Sequence, residues 1–144
     1  MTRVDFYLTS ETNKQDILRF ACRVLEKAYE QNCHVYVLAE NMAQANQLND
    51  LLWTFRDISF IPHQLVDTSS EVSSPIQIGC DMTRPSTQEI LLNLQKDIPT
   101  IFNQFQRIIE IISNESMDHQ RALEHQQFFE THACEIHRHD LRKK

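Results

Sequence analysis

The sequence predicts an α/β domain built on a mainly parallel sheet, and three observations carry that expectation. The first half alternates short apolar runs with helically spaced apolar positions, giving strand, helix, strand, helix in order. The run His34-Val35-Tyr36-Val37-Leu38-Ala39 is apolar almost throughout, as expected of a strand covered on both faces. The chain is 144 residues long, which fits one domain, taken here as residues 1–144. Strands joined through helices run parallel, with right-handed crossovers.

The elements follow in turn. Val4-Asp5-Phe6-Tyr7-Leu8 is short, aromatic and partly β-branched, hence a strand. Ser10 and Thr12 are candidate N-caps for a helix over Asn13 to Gln31, whose inward stripe is Ile17, Leu18, Ala21, Cys22, Val24, Leu25 and Ala28. Asn32 stands where a helix end favours a left-handed residue. Asn41 is the expected cap of a second helix, Met42 to Leu52. Trp53 to Leu65 is aromatic, irregular and interrupted by Pro62, and Val66 to Ser74 is a polar loop. Pro75 to Cys80 reads as a strand, and a surface loop covers Met82 to Ser86; Glu89 to Leu94 fits strand or helix by pattern, its brevity favouring strand. Pro99 opens a short helix with Ile101, Phe102 and Phe105, and Arg107 to Ile112 is a β-branched strand. A last helix spans about 117–138, with Ala122, Phe128 or Phe129, and Ala133 as inward candidates, before a short basic tail at 142–144.

Composition narrows the function. Fourteen basic residues against twenty acidic ones give a net charge of −6, so DNA contact is expected to be indirect at most. The chain contains a single glycine, Gly79. Phosphate loops and dinucleotide fingerprints need at least two, because backbone amides must approach phosphates without a Cβ in the way. No nucleotide cofactor is therefore expected, and none of any other kind. No apolar run approaches the roughly 18 residues of a membrane span, and Met1 opens onto polar residues rather than a signal segment, so a cytoplasmic protein is expected. Cys22, Cys33, Cys80 and Cys134 are widely spaced and read as buried thiols.

Four constellations carry chemistry. His125, His132, Cys134, His137 and His139 cluster near the C-terminus. Zinc needs three or four converging ligands, whereas on one helix only His125, His132 and His139 would share a face, each about 10 Å from the next. The plain alternative is a polar helix face that charges below about pH 6.5. Asp5, Glu40 and Asp81 follow or interrupt strands, where open-sheet active sites often lie. Cys33 or Cys80 with His34 or His63 would make a small enzyme, although strand cysteines are usually core and no nucleophile elbow is present. Finally, Trp53, Phe55, Phe60 and Ile61 on an irregular segment are either core anchors or interface hot spots.

The same segment, Leu52-Trp53 followed by Ser59-Phe60-Ile61-Pro62-His63, resembles the chi subunit of bacterial DNA polymerase III. Phe6-Tyr7-Leu8, Leu25 to Ala28, Val35 to Glu40, Pro75 to Gly79 and Glu89 to Leu94 match further parts of that family in order. The resemblance implies a Rossmann-like three-layer fold that has lost nucleotide binding, and an accessory subunit with no catalytic site of its own. It implies a psi-type partner, and through it the clamp loader, contacting Trp53, Phe60, Pro62 and His63. It also implies a helicase related to the XPD family on that same surface, and the C-terminal tail of single-stranded-DNA-binding protein on the far side.

That tail is acidic and ends in Phe with a free carboxylate, so its receptor needs an apolar pocket rimmed by cations. The resemblance places the receptor at His119, Arg121, Leu123, Gln126, Gln127 and Phe129. Here the pattern departs from the family. Leu123 replaces a basic residue, Gln126 and Gln127 replace a tyrosine-basic pair, and Glu130 has the wrong sign. Arg121 and charged His119 and His125 are the expected remaining cations, so tail binding should be weak at pH 7.5 and stronger toward pH 6.

Overall fold

A computed structural model describes residues 2–54, 62–65, 74–80, 89–99 and 102–141. Phe55, Phe60, Ile61, Asp81, the Met82 to Ser86 loop, most of the Val66 to Ser74 loop and the 142–144 tail lie outside the described residues. The element order is β1 (Arg3–Leu8), α1 (Lys14–Glu30), β2 (Val35–Leu38), α2 (Met42–Thr54), β3 (His63–Leu65), β4 (Ile76–Gly79), β5 (Ile90–Asn93), a 3-10 turn (Phe102–Gln104), β6 (Arg107–Ile112), α3 (Ser116–Thr131) and β7 (Glu135–Asp140). Seven strands form one parallel sheet in the order β3-β4-β2-β5-β6-β1-β7.

Alternation along the strands divides the apolar residues between two layers. Val35 and Val37 of β2 point toward α1 and α2, joining Leu18, Leu25, Ala45 and Leu48. Tyr36 and Leu38 point the other way, joining Phe6, Phe102, Phe105, Ile108 and Phe129 of α3. Connections that step toward β3 thus carry helices on one face, and those that step toward β7 carry α3 on the other. A right-handed crossover rule requires that sorting. The fold is α/β, three-layered and Rossmann-like. Among the described residues no helix is long and apolar enough to cross a membrane.

Helix ends account for most departures from the sequence reading. α1 is capped by Asn13 rather than Ser10 or Thr12. Its Oδ1 accepts from the Asp16 amide at 2.8 Å and its Nδ2 donates to the Asp16 carboxylate at 2.7 Å, a reciprocal box. Asn41 caps α2 as expected, accepting from the Gln44 amide at 2.8 Å. Asn32 does adopt a left-handed φ of 61°. The Cys33 amide then donates to Ala28 O at 2.9 Å and the Asn32 amide to Tyr29 O at 2.9 Å, a Schellman ending.

The last helix corrects the expectation most. It stops at Thr131 rather than near residue 138, because Ala133 takes the same left-handed turn at φ 60°. The Cys134 amide donates to Phe129 O at 3.0 Å and the Ala133 amide to Glu130 O at 3.1 Å. Ala133 is therefore an exposed turn residue, not an inward helix position, and Glu135–Asp140 becomes strand β7 beside β1. Strand β3 also lies inside the segment expected to be irregular.

Candidate protein-binding surfaces

The turn from β1 to α1 sits where Rossmann domains hold phosphate. Here it is bonded inward: Thr9 Oγ1 donates to Ile112 O at 3.0 Å, the Glu11 amide donates to Thr9 Oγ1 at 3.3 Å, and the Asn114 amide donates to Glu11 O at 2.7 Å. Side chains stand where a phosphate loop has glycines, and the Glu11 amide and carbonyl are already engaged within the turn. A cleft of about 670 Å³ remains at the carboxyl ends of the strands, between the starts of all three helices, with Glu40, Asn93, Gln95, Glu110, Arg121 and His125 in its lining. Gln95 spans strand ends there, its Nε2 donating to Ala39 O at 2.9 Å and Cys80 O at 3.5 Å.

The first surface forms where α2 ends. Leu52 is buried in the core, and one residue on, Trp53 is 57% exposed. Its indole meets the His63 ring edge-on at 4.9 Å, which ties the end of α2 to the start of β3. Pro62 is half-buried just before the strand. Three of the four residues named for this surface are thus contiguous; Phe60 is outside the described residues.

The second surface lies along α3, and helical geometry separates the residues assigned to it. Phe129 is wholly buried against Phe6 and Phe102, so it forms the floor under the helix. Arg121 and His125 face the cleft, where Arg121 pairs with Asp118. His125 is not a free cation for a ligand: its Nδ1 lies 2.8 Å from Glu110 Oε1. The other flank faces β7. There Leu123 is 48% exposed and His119 and Gln126 are half-buried, with Gln127 exposed beside them. Arg138 of β7 donates from Nη1 to Gln126 Oε1 at 3.1 Å. The helical reading of residues 132–138 hid this cation; two polar residues alternating with Ile136 were its only sequence signal.

The histidine and cysteine cluster is dispersed. His132 stacks on Phe128 at 4.1 Å, His139 stacks on Tyr7 at 4.6 Å, and His125 is at the cleft. They share no helix face, and among the described residues no three metal-type side chains converge. Nor are the cysteine–histidine pairs assembled. Cys33 Sγ points to Gln31 O, and His63 is in register with Ile76, four residues or about 13 Å along the strand from Cys80. Cys22 is the one wholly buried cysteine, where burial pushes its thiol up to about 12; Cys33, Cys80 and Cys134 are half-buried, contrary to the expectation of core thiols.

A buried carboxylate anchors the sheet instead. Asp5, wholly buried in β1, accepts from Arg3 at 3.0 Å, Arg107 at 2.6 Å and His139 at 2.8 Å. Burial alone would raise its carboxyl, but the hydrogen bonds from His139, Arg107 and Arg3 and the charge of Arg107 outweigh that and hold it below the ordinary 3.8. Asp5 is therefore a structural hub rather than an acid–base residue.

The class so defined is a Rossmann-like domain whose phosphate turn is closed and whose outward features are an exposed tryptophan and a mixed helix–strand flank. Residues 1–137 match the family described as DNA polymerase III chi subunit, HolC. The chain is similar to DNA polymerase III subunit chi of Pseudomonas aeruginosa, 32% identical over 141 residues, covering 98% of each chain. It is also similar to the Haemophilus influenzae protein of that name, 27% identical over 74% of this chain and 75% of the relative, and to the Escherichia coli one, 24% identical over 86% and 88%. The chain belongs to the DNA polymerase III chi subunit family, a family of accessory subunits in DNA replication.

Proposed function

We propose that the chain is a non-catalytic adaptor of the DNA polymerase III holoenzyme in the cytoplasm. One surface takes a psi-type partner, which leads to the clamp loader, or a helicase of the XPD kind in its place. The other takes the C-terminal tail of single-stranded-DNA-binding protein, so that DNA is reached only indirectly.

The observation that carries this reading is the exposure of Trp53 at the end of an otherwise well-packed helix. Trp53 keeps 57% of its surface exposed while its ring rests edge-on against His63, and large aromatics so placed dominate interface energetics. Trp53→Ala is expected to weaken psi binding by about 2–4 kcal/mol, a rise in Kd of tens- to hundreds-fold, while the melting temperature of the free protein barely moves. Binding titrations read beside thermal melts test this. A large loss of stability with unchanged affinity would return Trp53 to a packing role.

A further inference from the structure

The Glu110–His125 pair serves neither of those surfaces, yet it ties three elements together. His125 Nδ1 lies 2.8 and 3.0 Å from the two Glu110 oxygens of β6, and its Nε2 lies 2.9 Å from Lys96 O in the segment after β5. Asn93 Nδ2 joins the same group, donating to Asp97 O at 3.1 Å and Glu110 Oε2 at 3.4 Å. Through Gln95, this segment also reaches the ends of β2 and β4.

We propose that Glu110 and His125 form a proton-operated latch, holding the Leu94–Asp97 segment against α3 while the pair carries two protons and releasing it when one is lost. A carbonyl oxygen only accepts hydrogen bonds, and a carboxylate likewise. A neutral imidazole has one donor nitrogen, so it can satisfy only one of these two partners. Engaging both requires an imidazolium facing a carboxylate, or an imidazole facing a carboxylic acid; each carries two protons. When one proton leaves to solvent through the cleft, the remaining one stays with the stronger, charge-assisted Glu110 contact. The Lys96 carbonyl then faces a bare nitrogen lone pair, and the segment is freed.

The surroundings set the direction. Burial opposes charging of His125, but the Glu110 hydrogen bond and charge and the Lys96 carbonyl outweigh it, and the net shift is upward from 6.5 despite Arg121. Arg121 is itself paired with Asp118; Glu115 at the start of α3, Glu124 on α3, Lys96 beyond β5, and Lys14 of α1 with Glu40 before α2 complete the charged cleft lining. The closed state binds the extra proton. The latch is therefore complete below about pH 6.5 and is lost as pH rises through the folded-state value.

The test uses the full chain and nitrogen NMR of the histidine rings, with amide exchange from pH 6 to pH 9. At pH 6 His125 should show two protonated ring nitrogens, or one sharing its proton with Glu110. From about pH 6.5 up to its transition the protection of the Leu94 and Gln95 amides should fall by up to tenfold per pH unit and then level off, while β1 and β6 keep theirs. His125→Gln, and Glu110→Gln should that variant fold poorly, should remove the pH dependence of protection. An ordinary neutral His125 titrating at or below 6.5, or protection with the same pH dependence in the variants, would overturn the latch. The outcome does not depend on which partners the two surfaces bind.

Discussion

At the scale of single residues, Asp5 shows how a charge is kept inside a sheet. Its carboxylate has no exposed surface, while Arg3, Arg107 and His139 keep 43%, 29% and 35% of their side chains exposed. The desolvation penalty therefore falls mainly on Asp5, and its partners can return to water if it is lost. Asp5→Asn should accordingly cost about 2 kcal/mol, less than the 3–5 kcal/mol of a fully buried pair broken on one side, and lower the melting temperature by about 4–8 °C. The pH dependence has a defined sign. A depressed carboxyl contributes fully above its ordinary 3.8 and loses that contribution as pH falls through its folded value. Melts from pH 7 to pH 3 should show wild type losing more stability than Asp5→Asn over the last unit; parallel curves would refute the hub.

At the scale of elements, the ends of α1 and α3 use one device with two residues. Both close on a left-handed residue followed by cysteine, Asn32-Cys33 and Ala133-Cys134. Asparagine tolerates that conformation, whereas alanine meets a Cβ clash worth roughly 1–2 kcal/mol. Ala133→Gly should relieve the clash at some entropic cost, a net gain of about 0.5–1 kcal/mol visible as a melting temperature about 1–4 °C higher. A destabilised variant would mean that the turn is not left-handed. The same alanine explains what the sequence concealed. Alanine is the best helix former, so nothing marked a stop before residue 138, and β7 has only Ile136 as an apolar residue because edge strands are guarded by charge and histidine. β2 and β6 were legible because burial on both faces demands apolar runs, whereas β5 was separated from a helix only by its brevity. The neighbourhood of Trp53 and His63 was legible as a motif, and the two rings do meet; Arg138 was not, since its place depends on a turn that composition disguises.

At the scale of the whole molecule, a net charge of −6 sets the terms on which an acidic ligand can be received. Long-range attraction is absent, so binding of a tail that ends in Phe and a free carboxylate has to rest on local groups. In the proposed function those groups are the ones on the α3–β7 flank, where Leu123 offers apolar surface and Arg138 a fixed cation. Arg121 and His125 are engaged at the cleft and add little on this side. The chain has seven histidines, and charging all of them would carry the formal total from −6 to +1, which also weakens repulsion of the approaching tail. A tail peptide titrated into the full chain should therefore bind weakly at pH 7.5 and several-fold more tightly at pH 6, one charge-assisted contact of about 1 kcal/mol being a factor of about five. Arg138→Ala should weaken binding at both pH values. Tight binding that ignores pH and survives Arg138→Ala would move the tail off this flank altogether.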